Sequence, residues 1–233
     1  MSITGRDYIV INGVNSDTVG LYIDTPPMPV YQAPNYQDIA IPNRGTLTQQ
    51  YKDRADIQID ITAYLFADED SADPRQIYEF ISAAETLSTS KSDDFYYKVK
   101  RVLSILPAYR GHGKQAMTIS FICDPYRYST DNEAIKITTA TATINNAGGV
   151  YSQPVWKLYG TGTLTLTVNE DDENTLTIPD VEGYVIADAE KLLCYKDNTI
   201  MRCGGIIPFL ATGDNYIQTN ATKIELTKNE RWL

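Results

Sequence analysis

RADIQIDITAYLF, from Arg54 to Phe66, alternates apolar and polar residues from its third position onward. Ile57, Ile59, Ile61, Ala63 and Leu65 fall on one face, and Asp56, Gln58, Asp60, Thr62 and Tyr64 on the other. Strand side chains repeat every second residue, so this is a strand with one dry and one wet face. Downstream, Phe95 to Ile105 places Phe95, Tyr97, Val99, Leu103 and Ile105 on one side, with Arg101 as the exception. Gly111-His112-Gly113-Lys114 reads as a turn, and Gln115 to Cys123 returns as another strand. Three such runs predict an antiparallel sheet with one solvated face. Between the first two, Ile77, Phe80, Ile81, Ala84 and Leu87 recur at helical spacing. Asp73 suits the N-cap and Pro74 the first helical position, which predicts one amphipathic helix over about 74–88, laid on the sheet.

Further along, Asp124 to Glu133 interrupts the pattern with a proline and polar residues, and a domain boundary is expected near 129–134. Beyond it only short strands are expected. Thr163 to Val168 puts Leu164, Leu166 and Val168 inward, Asn169–Asn174 turns it, and Thr175 to Ile178 comes back. Tyr184–Ala187, Lys191–Tyr195, Thr199–Arg202, Asn215–Gln218 and Lys223–Leu226 follow. Many short strands without a helical pattern indicate a β-sandwich or jelly roll. Threonine and 17 tyrosines fit that usage. The chain of 233 residues is 42% hydrophobic, enough for a substantial core in one or two domains.

The formal charge of −10 argues against gripping nucleic acid or an anionic bilayer by bulk electrostatics. Residues 1–130 carry 12 basic and 16 acidic groups, and residues 131–233 carry 8 and 14. No apolar run approaches a membrane span, and the first residues lack a signal-peptide pattern. The three cysteines, Cys123, Cys194 and Cys203, contain no C-x-x-C. Reduced thiols made in a cytoplasm are expected, with Cys123 buried and a Cys194–Cys203 disulfide as the lesser alternative.

Searching for chemistry finds no active site. His112 is the one histidine and sits between two glycines, where an exposed turn residue is expected rather than a general base. The acidic segments Asp68–Asp73 and Asn169–Asn174 lack the order of a calcium loop and read as solvated loops. Gly160-Thr161-Gly162 and Gly204-Gly205 lack the context of a dinucleotide loop and read as turns. Nominating a glycosidase pair among 30 acidic residues is empty without proximity. Trp156, Tyr159 and Trp232 are candidates for sugar stacking, against a core or interface role for aromatics in sandwiches. No cofactor or metal site is expected. What remains is a two-part β protein with long alternating strands, open edges and many tyrosines, which suits self-assembly.

Four stretches resemble the distal tail protein (Dit) family of siphophages and related prophages. They are Tyr8–Asn15 with Gly20–Ile23; Ile41–Leu47 with Tyr51–Ile57; Phe121–Ser129; and Pro154–Gly162 with Pro208–Asn215. The turn Asn43-Arg44-Gly45-Thr46 departs from the Gly-Arg-Asp-Gly of many members. The resemblance implies an N-terminal ring-forming domain over 1–130, a β-sandwich with one helix and an extended β-hairpin at about 35–65. It implies a galectin-like jelly-roll β-sandwich over 131–233, galectin-like in shape only. It also implies a structural, non-enzymatic baseplate hub at the virion tail tip, made in the bacterial host cytoplasm. Six copies would close into a ring joining the tail tube to a tail-tip lysin or fibre protein. DNA would transit the lumen without specific binding, and no membrane insertion is implied. Arg44, Gly45 and Tyr51 are the expected subunit-contact residues. The alternatives are a cell-wall carbohydrate-binding module, a wall-degrading hydrolase, or another tail component such as a tube subunit.

Overall fold

A computed structural model describes residues 7–27, 34–43, 45–66, 74–110, 114–171 and 174–233. The molecule is mainly β, and the chain separates into two compact units, 1–130 (with Leu233) and 131–232.

In the first unit the elements are β1 (Ile9–Ile11), β2 (Val14–Asn15), β3 (Tyr22–Thr25), β4 (Pro34–Ile41), β5 (Gly45–Arg54), β6 (Ile57–Phe66), α1 (Pro74–Ser82), β7 (Thr86–Thr89), β8 (Ser92–Arg110) and β9 (Lys114–Ser129). Seven of these strands follow one hydrogen-bonded path, β2-β1-β7-β8-β9-β6-β3, while β4 and β5 form a separate two-stranded sheet. The period-2 face of β6 is dry: Ile57, Ile59, Ile61, Ala63 and Leu65 are all buried. They share one cluster with Ile9 and Ile11 of β1 and with Ile23 of β3, so strands far apart along the path cover the same core. Ile77 and Ile81 of α1 cap it.

Two expectations shift here. The helix ends at Ser82 rather than about 88. Asn12, in the β1–β2 turn at φ 51°, ends it: its Nδ2 donates to the Ala83 carbonyl, and its Oδ1 accepts from the Glu85 and Thr86 amides. Leu87 is still buried, but on β7. In β8 the inward phase does not hold. Register slips after Tyr97, Val99 and Val102 leave Leu103 49% exposed and turn Val102 to the core instead. A bulge inserts one residue into a strand and swaps the faces beyond it. Asp73, His112 and the Asp68–Asp73 loop lie outside the described residues.

The second unit contains β10 (Ile135–Ile137), β11 (Thr141–Asn146), β12 (Val155–Val168), β13 (Thr175–Asp188), β14 (Leu193–Lys196), β15 (Thr199–Met201), β16 (Gly204–Gly205), β17 (Gly213–Thr219) and β18 (Lys223–Thr227). The path runs β10-β18-β12-β13-β14-β15, with β17 joining β12 to β11 and β16 lying on β13. Leu164, Leu166, Val168, Leu176 and Ile178 point inward as their alternation requires, around a fully buried Trp156. The expected short strands merge into two strands of 14 residues. Gly160-Thr161-Gly162 is strand rather than turn: Gly160 pairs with Gly183 and Gly162 with Val181, and a register slip follows before Leu164. Glycine is depleted in strands, but here the ladder continues through it. Gly204-Gly205 likewise pairs with β13.

Candidate assembly surface

The hairpin β4–β5 is built by its own turn. Ile41 pairs with Gly45, closing the hairpin; Asn43 in the turn sits at φ 63° and Gly45, the first residue after it, at φ 86°. Both backbones are left-handed, the geometry a three-residue hairpin demands and which asparagine and glycine tolerate best. Directly paired residues share a face, so Ile39 with Leu47, and Ile41 with Gly45, line one side. Ile39, Ile41 and Leu47 are 41%, 39% and 55% exposed, and Tyr36 on the opposite side is 58% exposed. On that opposite side Thr48 donates to Asp38 across the strands. The hairpin is thus a two-stranded ribbon with an apolar face. A lone two-stranded ribbon is only marginally stable in water.

Its root is tied down by charge. Asp56, two residues beyond β5, accepts from Lys100 of β8 at 2.5 Å, and Asp124 of β9 lies 3.6 Å from the same ammonium. The Asp56 hydrogen bond, ahead of the opposing desolvation, raises Lys100 above its ordinary value. Tyr128 donates to Asp124 at 2.5 Å and stacks on Tyr96.

Of the expected contact residues, Gly45 opens β5 and does shape the turn. Tyr51 lies in β5 where the register with β4 slips, between the Tyr36–Gln50 and Pro34–Arg54 pairs. Arg44 lies outside the described residues. The hairpin also ends at Arg54 rather than near 65, because Ile57–Phe66 pairs with β9 in the main sheet. Ile39, Ile41 and Leu47 were not singled out from sequence. The alternation Ile39-Ala40-Ile41 is their signal, and two apolar residues are too few to announce a face.

Trp156 cannot stack on a sugar: it is fully buried, and its indole donates to the Pro208 carbonyl. The solvent side of β12, β13 and β18 instead carries Tyr159 and Tyr184, tilted with centroids 6.0 Å apart. The Lys157 ammonium lies 4.8 Å from the Tyr184 ring and the Lys223 ammonium 4.4 Å from Tyr159. Glu225 accepts from Lys223 at 2.6 Å and from the Tyr159 hydroxyl at 2.8 Å, and these two bonds hold its carboxyl below the usual value. Tyr184 donates to Asp197, which with burial raises its hydroxyl. The cations on this face are matched by carboxylates. The Asn169–Asn174 turn is not wholly solvated, since Asn174 is buried and its amide bonds both backbone groups of Phe209. Cys123, Cys194 and Cys203 are free thiols; burial, then Asp124 and Asp56, push Cys123 up to about 12. Among the described residues, no group of three or more His, Cys, Asp or Glu converges as a metal site, and no helix is long and apolar enough to cross a membrane.

No family model matches the chain, and no curated protein matches it. Among solved structures, the crystal structure of the Dit protein (gp 19.1) of phage SPP1 superposes with a TM-score of 0.70 at 13% sequence identity. The match covers 97% of this chain and 99% of that one, and that protein is described as a paradigm of the hub adsorption apparatus in Gram-positive infecting phages. Across both units, then, this chain has the fold of the SPP1 Dit protein.

Proposed function

We propose that the chain is a structural hub of a phage tail tip. Six copies close into a ring that joins the tail tube to a tail-tip lysin or fibre protein, and DNA passes through the opening. The observation that carries this reading is the end-to-end fold likeness to a tail hub protein, which spans both units. Residues 1–130 form the ring, and residues 131–233, a galectin-like jelly roll, sit at its periphery. A heterologous contact repeated by rotation closes into a ring. The hairpin suits such a contact, since it offers a neighbour open strand edges and the apolar Ile39, Ile41 and Leu47. Arg44, Gly45 and Tyr51 lie at or near that contact. An excess of acidic groups keeps DNA mobile, because neutralised phosphates would hold the duplex and like charge does not.

The test is light scattering on the purified chain together with electron microscopy of the tail tip. A six-fold ring is the expected result. A strict monomer at high concentration, combined with a tail tip that lacks the chain, overturns the reading.

A further inference from the structure

Cys194 lies in β14, 1% exposed, directly opposite Met201 of β15. Cys203 follows Met201 by two residues, where the chain leaves β15 for β16. Cys203 is past the end of β15, so its place is fixed by the cluster it packs against rather than by the ladder. Both cysteines pack into the core of the second unit, Cys194 within it and Cys203 partly exposed against it. Burial, then the neighbouring Cys203 side chain, raises the Cys194 thiol. Cys203 also lines a surface depression with Thr177, Pro179, Arg202 and Gly204. One sulfur is therefore reachable from solvent, and the other is closed off behind it. Disulfide exchange needs this division, with an accessible thiol that attacks and a neighbouring thiol that resolves the mixed disulfide.

We propose that Cys194 and Cys203 form a thiol–disulfide exchange site whose co-reactant is a low-molecular-weight disulfide of the oxidised-glutathione class. Cys203 loses its proton to solvent and its sulfur bonds to one sulfur of the small disulfide. That S–S bond breaks, and the released thiolate takes up a proton. Cys194 then loses its proton and bonds to the Cys203 sulfur, and the second small thiol leaves and is protonated. Two protein thiols are oxidised to one disulfide while one small disulfide is reduced to two thiols. A reducing cytoplasm keeps the dithiol, and an oxidising medium favours the disulfide. The new bond ties β14 to the β15–β16 connection. There β15 ends the strand path and Ile200 is 70% exposed, so the link fastens an otherwise lightly held edge.

The intact reduced chain is equilibrated in glutathione buffers of rising oxidised fraction, quenched with N-ethylmaleimide under denaturing conditions, and weighed. The expected result is joint loss of two of the three maleimide additions, with a linked 194–203 peptide and Cys123 still alkylated. Cys194→Ala should hold one glutathione on Cys203, and Cys203→Ser should hold none. Three maleimide additions in the most oxidising buffer overturn the proposal. So does a wild-type chain that keeps glutathione on Cys203, or a link to Cys123. If a variant fails to fold, the wild-type masses decide alone.

Discussion

Asn215 shows how much of the second unit depends on single polar side chains. Fully buried, it accepts from the Ala211 amide and from Asn169, and it donates to the carbonyls of Ala211 and Gly213. Asn146 and Asn174 bond the same loop at Leu210, Ala211 and Phe209. A buried polar group left without partners costs more than the bond it made. Asn215→Ala should therefore destabilise the unit by about 2–4 kcal/mol in denaturant unfolding, since several partners are stranded at once. Gly205 is constrained differently: at φ 79°, a Cβ there would lie 2.1 Å from the Thr175 carbonyl oxygen. Left-handed strain adds to a backbone clash that no rotamer relieves, so Gly205→Ala should cost about 3–5 kcal/mol by the same measurement. Glu225 gives a pH-dependent outcome. Its folded value is depressed, so its contribution is present above the unfolded value and fades as pH falls through the lower, folded one. A carboxyl titration by NMR should find it below the ordinary glutamate range, and Lys223→Met should move it upward. An unmoved value would refute the assigned cause.

Among the elements, β6 was legible because its period is unbroken and its partner β9 pairs with it residue for residue. By contrast β8 misleads, since three register slips are invisible to a pattern that assumes one phase. Asn12 cuts α1 short from about seventy residues away, and no local propensity encodes a cap that distant. The β4–β5 hairpin was legible only through family resemblance, because nothing local says that a ribbon will lack a sheet beneath it. That lack makes it testable. Ile39 and Leu47 are paired, exposed, and outside the buried cluster of the unit. The double variant Ile39→Asp, Leu47→Asp should shift stability by no more than about 0.5 kcal/mol, as surface changes do. It should nonetheless reduce the light-scattering mass to that of a monomer, because two buried carboxylates cannot be accommodated in an apolar contact. A ring that survives the double variant would remove the hairpin from the subunit contact.

The two units differ in how they can be watched. Residues 131–232 hold their own cluster, from Ile137 through Trp156 to Leu226, with no member from the first unit. About 100 residues with a continuous core is an ordinary size for an independently folding domain. The chain divides after Thr130, but the interruption expected over Asp124–Glu133 does not begin at the proline, because β9 runs through Pro125 to Ser129. The join of Pro154–Gly162 to the strand that follows was not legible, because the ladder overrides two glycines. Both tryptophans of the chain, Trp156 and Trp232, lie in the second unit. The blue-shifted emission of the buried Trp156 therefore follows that unit, while far-ultraviolet circular dichroism follows both. Residues 131–233 made separately should unfold cooperatively, with blue-shifted emission from the buried Trp156 and the same urea midpoint that emission gives in the whole chain. They should also stay monomeric, while residues 1–130, which keep the hairpin, retain the association of the full chain. A second unit that emits like free tryptophan and unfolds without a transition would show that its core depends on the first. Assembly that follows residues 131–233 instead would transfer the ring contact to the other half of the chain.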